Sequence, residues 1–310
     1  MRRIFLAGLV LAAGWDFTTA AADDAEGEAS IIDVRKIWDA APHNAFTDLL
    51  HHEGRWYCVF REGNTHVSAD GSLRVLVSSD GEAWESAAVI RLPRADLRDA
   101  KITATPDGRL MLCGAGALHQ PASAKHQSYV WYSKDGSDWG EALPVGEPNY
   151  WIWRITWHDG KAYGVGYGTS EDRGTRLYVS QDGKNFEVLV PELVEGNYPN
   201  EASLLFREDG SALCLLRRDG EAENSAMLGS AEPPYRDWSW KDLQERVGGP
   251  QLIDLPGGQV VAAGRKYDGK AGTRIWRLDA ETAELVPLVT LPSGGDTSYP
   301  GLMAPATPAT

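Results

Sequence analysis

A short turn that recurs along the chain limits what this sequence can fold into. An acidic residue or glycine followed by glycine stands at Glu53-Gly54, Asp107-Gly108, Asp159-Gly160, Asp209-Gly210 and Gly257-Gly258. The intervals are 54, 52, 50 and 48 residues. Each turn separates two short apolar runs, such as TDLLHH and RWYCVF at the first and ASLLF and SALCLLR at the fourth. Tight hairpin turns need positive φ, which glycine adopts without a Cβ clash. A hairpin repeated roughly every fifty residues predicts a β-propeller, one blade per repeat. Twelve tryptophans suit packed hairpins, and only Trp240–Val247 reads as a short helical piece.

Superposing the repeats puts Arg61, Ala115, Tyr167, Arg217 and Arg265 at one offset, eight residues after the first turn residue. Equivalent positions in propeller blades share a height around the central channel. Three arginines are therefore expected to converge there, with Arg218 replacing Arg217 if the register slips by one. The planar guanidinium fork suits a carboxylate. The plain alternative is three unrelated arginines near strand ends.

Residues 1–22 read as a signal peptide: basic Arg2 and Arg3, an apolar run Ile4–Gly14, and small Ala20-Ala21-Ala22 for cleavage. The apolar run is too short to span a bilayer, and export is expected. Residues 23–30 read as a flexible mature N-terminus, 31–303 as the propeller domain and 304–310 as a disordered tail. A net charge of −14 makes the chain a poor candidate for binding nucleic acid or anionic membrane, and neither is expected as a partner. Cys58, Cys113 and Cys214 fall mid-strand in different repeats, which marks core thiols rather than a disulfide framework. No metal-ligand spacing appears, and no metal or cofactor is expected.

A second repeat lies outside the hairpins. Ser78-Ser79-Asp80-Gly81-Glu82-Ala83-Trp84, Ser133-Lys134-Asp135-Gly136-Ser137-Asp138-Trp139 and Ser180-Gln181-Asp182-Gly183-Lys184-Asn185-Phe186 share the form S-x-D-G-x-x-[W/F]. The aspartate accepts turn amides, the glycine takes positive φ, and the ring packs under the turn. This turn resembles the Asp-box of the sialidase superfamily, and the chain is similar to bacterial exo-α-sialidase-like proteins over 31–303. The resemblance implies a six-bladed propeller in which the Asp-boxes are structural.

It also implies a site. Arg61, Arg217 or Arg218, and Arg265 would hold a sialic acid carboxylate. Tyr299 would be the nucleophile, with Glu201 as its base. Asp70 would be the acid/base, with Asp99 next and Asp48 third. Trp153 and Arg154, with Trp151, would line the sugar pocket or pack in the core. The expected reaction is retaining removal of a terminal sialic acid from a glycoconjugate. Two departures stand against the pattern. No arginine occurs in His43–Asp48, where the family opens its first inner strand with one. Strands beyond Met303 that would finish a sixth blade are missing, so that blade is expected to be incomplete. The alternatives are a non-catalytic carbohydrate-binding propeller, or a hydrolase or lyase for another acidic glycan.

Overall fold

The computed structural model describes residues 5–7, 29–120, 124–293 and 297–304. Among them are five four-stranded antiparallel sheets, each a blade built from consecutive strands. The inner strands are His43–His52, Ala95–Ala104, Tyr150–His158, Pro199–Phe206 and Val247–Leu255. Each pairs with the strand after its repeated turn: Arg55–Gly63, Leu110–Leu118, Lys161–Gly168, Ala212–Arg218 and Gln259–Lys266. Neighbouring inner strands pack against one another, which makes them the lining of the ring. The repeated turns do what their composition predicts. Glu53 and Gly54 have φ of 49° and 75°, and Asp159 and Gly160 have 47° and 73°.

The expected sixth blade is not there: the propeller has five. In the seam between blades five and one lies one short strand, Gly301–Met303, touching the inner strands of both. Its outer partner is Phe5–Ala7. The Gln251 side chain accepts from the Leu302 amide at 2.7 Å and donates to its carbonyl at 3.4 Å. Gly301 lies so close to blade one that a Cβ there would stand 2.3 Å from the Leu49 nitrogen. Leu302 packs with the blade-five core and Met303 with that of blade one. One strand thus closes the ring where an incomplete sixth blade was expected. Apart from Phe5–Ala7, the expected leader lies outside the described residues, as does the tail beyond Ala304.

The segment Ile31–Trp38 forms no strand, and Trp38 is anchored through an indole hydrogen bond to Glu62 at 2.6 Å. One smaller expectation also fails. Trp240–Val247 is not helical; Ser239–Asp242 is the outer strand of blade four. Among the described residues no helix is long and apolar enough to cross a membrane.

The hydrophobic core lies between blades. One cluster joins blades one and two through Val75, Leu73, Leu112 and Trp131; another joins four and five through Leu215, Val247 and Trp276. Cys58, Cys113 and Cys214 are buried free thiols within these layers. The three S-x-D-G turns link third to fourth strands of blades one to three. Asp80, Asp135 and Asp182 each accept two turn amides at 2.8–3.1 Å. Trp84 and Trp139 donate back to the turn glycine carbonyls. Asp279 in blade five accepts from Glu281 and Thr282 in the same way without the glycine. Local hydrogen bonding explains this motif, and it carries no family assignment by itself.

The turns supply a stability test. Gly136 has φ of +81°, and a Cβ there would meet Tyr57 at 2.5 Å; Gly54 has φ of +75° with nothing within 4 Å. Gly54→Ala is expected to cost about 1 kcal/mol from backbone strain alone, and Gly136→Ala about 2–4 kcal/mol through strain plus overpacking. Urea unfolding of both variants checks this; equal losses would contradict it.

Candidate functional site

The inner strands share one irregularity, and it builds the site. Each carries a β-bulge at nearly the same level: Phe46-Thr47, Asp99-Ala100, Trp153-Arg154, Asn200-Glu201 and Gly249-Pro250. A bulge leaves extra residues unpaired and re-aims their side chains. Phe46, Asp99 and Gly249 have φ of 64°, 53° and 57°. Tyr299-Pro300, just before Gly301–Met303, repeats the Gly249-Pro250 sequence form, and Tyr299 has φ of 64°. Five bulges and one bulge-like step therefore face the same end of the ring.

Glu201 sits at the centre. Its carboxylate accepts from Arg217 at 2.7 Å, from the Gly249 amide at 2.9 Å and from the Tyr299 hydroxyl at 2.7 Å. Arg217 also reaches the Tyr299 oxygen at 3.2 Å and pairs with Asp219 at 2.9 Å. The expected pairing of Tyr299, Glu201 and Arg217 is present. Burial, and then the Glu201 charge, push the Tyr299 phenol well above its ordinary range. As a donor to a carboxylate, that phenol resists ionisation, which opposes a phenolate nucleophile.

Asp99 is the second carboxylate, 7% exposed, and its Oδ1 has no hydrogen-bond partner among the described residues. Burial raises it to about 6; the Glu201 charge adds to that, while Lys101, Arg98 and Arg217 oppose it. Lys101 is buried beside the Trp153 ring, with its nitrogen 4.9 Å from the centroid, and burial lowers its proton affinity. Asp48 takes Arg154 Nη1 at 2.9 Å on both oxygens and the Ile102 amide at 3.0 Å. It therefore links blades one, two and three. Arg154 Nε and Nη2, Arg217 Nε, Trp151 Nε1 and Trp153 Nε1 are buried without partners among the described residues. Buried unpaired polar atoms are costly, and with Asp99 Oδ1 six of them gather at this level of the ring.

Other expectations are corrected. The three arginines do not converge. Measured from the bulge, Arg61, Arg218 and Arg265 are in register, opposite Ala45, Pro199 and Gly248, while Arg217 lies one residue off, opposite its bulge. A slip of one residue turns a side chain to the other face. Arg61 is fully buried in an ion pair with Asp96 at 2.9 Å. Arg218 turns to Asp242 and Glu223. Arg265 donates to the Thr297 carbonyl at 2.9 Å and lines a cleft beside Tyr299. Asp70 stands in an exposed loop, accepting the Asn64 amide at 3.2 Å; hydrogen bonds from Ser68 and then Asn64 lower its proton affinity, the reverse of what a general acid needs. Trp153, at 1% exposure, is a packing residue rather than a sugar platform. Lys101 was missed because a lone lysine in a strand carries no sequence signal of burial.

No family model and no curated protein matches the sequence. Solved structures do. A Dyadobacter fermentans protein of unknown function superposes with a TM-score of 0.71 at 20% identity, over 83% of this chain and 86% of that one. An α-L-arabinofuranosidase of Fusarium graminearum gives 0.63 at 12%, over 82% and 83%. A Penicillium chrysogenum α-L-arabinanase bound to arabinobiose gives 0.62 at 14%, over 85% and 94%. At these identities the likeness shows the propeller fold alone. The sialidase resemblance is overturned by the ring itself: it has five blades where that resemblance implied six, and among the described residues Arg61, Arg218 and Arg265 form no common clamp.

The buried acid gives a pH test. Asp99 binds its proton more tightly folded than unfolded, so its contribution is fully present below about pH 4 and lost as pH rises through about 6. Asp99→Asn removes that loss, and asparagine tolerates the positive φ. Relative to wild type, the variant should gain up to about 3 kcal/mol between pH 4 and pH 8. Urea unfolding at both pH values reads the difference; a pH-independent difference would contradict it.

Proposed function

We propose that the protein is a glycoside hydrolase acting on a non-sialylated glycan, with Asp99 and Glu201 as its carboxylate pair. The observation that carries this reading is their contrast in environment. Asp99 is desolvated, and its burial lets it hold a proton up to about pH 6. Glu201 is an acceptor fixed by three donors. Hydrolysis of a glycosidic bond needs such a pair, one acid to protonate the leaving oxygen and one carboxylate facing the sugar.

In this account Asp99 gives its proton to the leaving oxygen as the C–O bond breaks, water bonds to the sugar carbon through its oxygen, and the proton that water sheds returns to the Asp99 carboxylate. Glu201 stabilises the positive charge that grows on the sugar ring. Arg217, the Gly249 amide and Tyr299 hold Glu201 in place. Asp48 fixes Arg154 across three blades. Support also comes from the fold, since arabinan-acting enzymes share the propeller.

The test is hydrolysis of aryl glycosides and oligosaccharides of arabinose, xylose and β-1,3-linked galactose, with folding of each variant verified. Glu201→Gln and Asp99→Asn should each lower kcat at least about a hundredfold. Tyr299→Phe removes one of three donors to Glu201 and should cost about 10–100-fold. Turnover that survives both carboxylate changes would refute the assignment.

A further inference from the structure

Arg61, expected in the channel, does something else. It sits inside the loop that follows its strand. Nη1 donates to the Thr65 carbonyl at 2.9 Å, and Nη2 donates to the Ser68 carbonyl and hydroxyl at 3.3 and 3.1 Å. Its charge is matched by buried Asp96. Glycines flank it by necessity: a Cβ at Gly63 would lie 2.8 Å from the guanidinium, and one at Gly71 would lie 1.8 Å from the Asp96 carboxylate. Asp70 clamps the loop from outside by accepting the Asn64 amide, and Thr65 donates to the Val67 carbonyl at 2.8 Å. The loop is thus tightly braced, yet at its tip it presents an exposed His66 and a 64% exposed Val67. Folding gains little from fixing an apolar side chain in water.

The braced tip overlooks a cleft whose lining includes His43, Asn44, Phe46, His66, Ser298 and Tyr299. The His66 ring stands edge-on to His43 at 5.4 Å and to Phe46 at 5.2 Å, and Phe46 meets Tyr299 at 5.0 Å. These rings run without a break from the loop to the residue that donates to Glu201. Asn44 donates to the Ala41 carbonyl, but its Oδ1 is buried with no partner among the described residues. An unpaired acceptor, ring edges and an apolar tip match a sugar, which offers hydroxyl donors on its rim and C–H groups on its face.

We propose that this cleft is a second sugar subsite, so that the substrate is an oligosaccharide whose next neutral unit lies between the 64–71 loop and Tyr299. The unit packs against His66, and one of its hydroxyls donates to Asn44. The proposal rests on the glycosidase reading for what occupies the Glu201 end. Arg61 is a positioning residue: it touches no substrate and holds the loop.

The test uses the full chain with one exposed substitution, His66→Ala. For each sugar, kcat/KM is measured on the trisaccharide and on the aryl monosaccharide. The variant should lower the trisaccharide-to-aryl ratio by about 2–10-fold, the loss of one ring contact. Equal falls on both substrates, or no change in the ratio, would overturn the subsite. A second arm, calorimetric titration of Glu201→Gln with the same trisaccharides, needs no turnover. If wild type hydrolyses none of the probes but trisaccharide binding weakens with His66→Ala, the subsite stands and the glycosidase reading falls. No trisaccharide binding in this arm overturns the subsite as well.

Discussion

The bulge at one level of every inner strand is the constraint on which the rest depends. A regular antiparallel strand points alternate side chains to opposite faces and would bury each carboxylate against the next blade or turn it outward. Two unpaired residues per strand break that alternation and bring Asp99, Arg154 and Glu201 to one end of the ring. The positive φ values at Phe46, Asp99, Gly249 and Tyr299 are the local cost of this geometry. Strain of this kind persists only where the surroundings enforce it, here by tight packing between blades.

The seam between blades five and one is the second requirement. A propeller is stable only if its last blade meets its first. Gly301–Met303 supplies that contact with one strand, held by Gln251 and by the close approach of Gly301 to Leu49. The same segment carries Tyr299 to Glu201. Closure of the ring and completion of the site are therefore one event. A change that loosens Gly301 would also withdraw a donor from Glu201, so stability and function at this end cannot be varied independently.

Much of the fold was legible because its signals are local. The glycine turns and the S-x-D-G turns depend on residues within a few positions, and the structure forms them as their chemistry requires. The five glycine turns matched the five blades; the expected sixth came from family resemblance, and a single strand at 301–303 fills its place. The site was half legible. Tyr299, Glu201 and Arg217, expected together, are hydrogen-bonded to one another, and Asp99, the second choice for the acid, is a buried carboxylate. Asp70 misled because a loop aspartate before glycine looks alike whether it faces a channel or ties its own loop. The arginine offset misled because it was counted from turns. Counted along the second strand from the turn, the residue opposite the outer edge of the bulge is Arg61 in blade one but Arg218 in blade four, one position farther on, which separates Arg217 from Arg61. A bulge leaves almost no trace in sequence, apart from the X-Pro steps at 249–250 and 299–300.

The central claim is that Asp99 and Glu201 form an electrostatically coupled pair at the bulge level. Carbon-13 NMR titration of the aspartate carboxyl carbons, with Asp99 assigned by substitution, tests this without any substrate. The account predicts a midpoint for Asp99 near 6 that falls when Glu201 is replaced by glutamine, because a neighbouring negative charge is removed. A midpoint near the ordinary aspartate value of about 4, unmoved by that replacement, would contradict it.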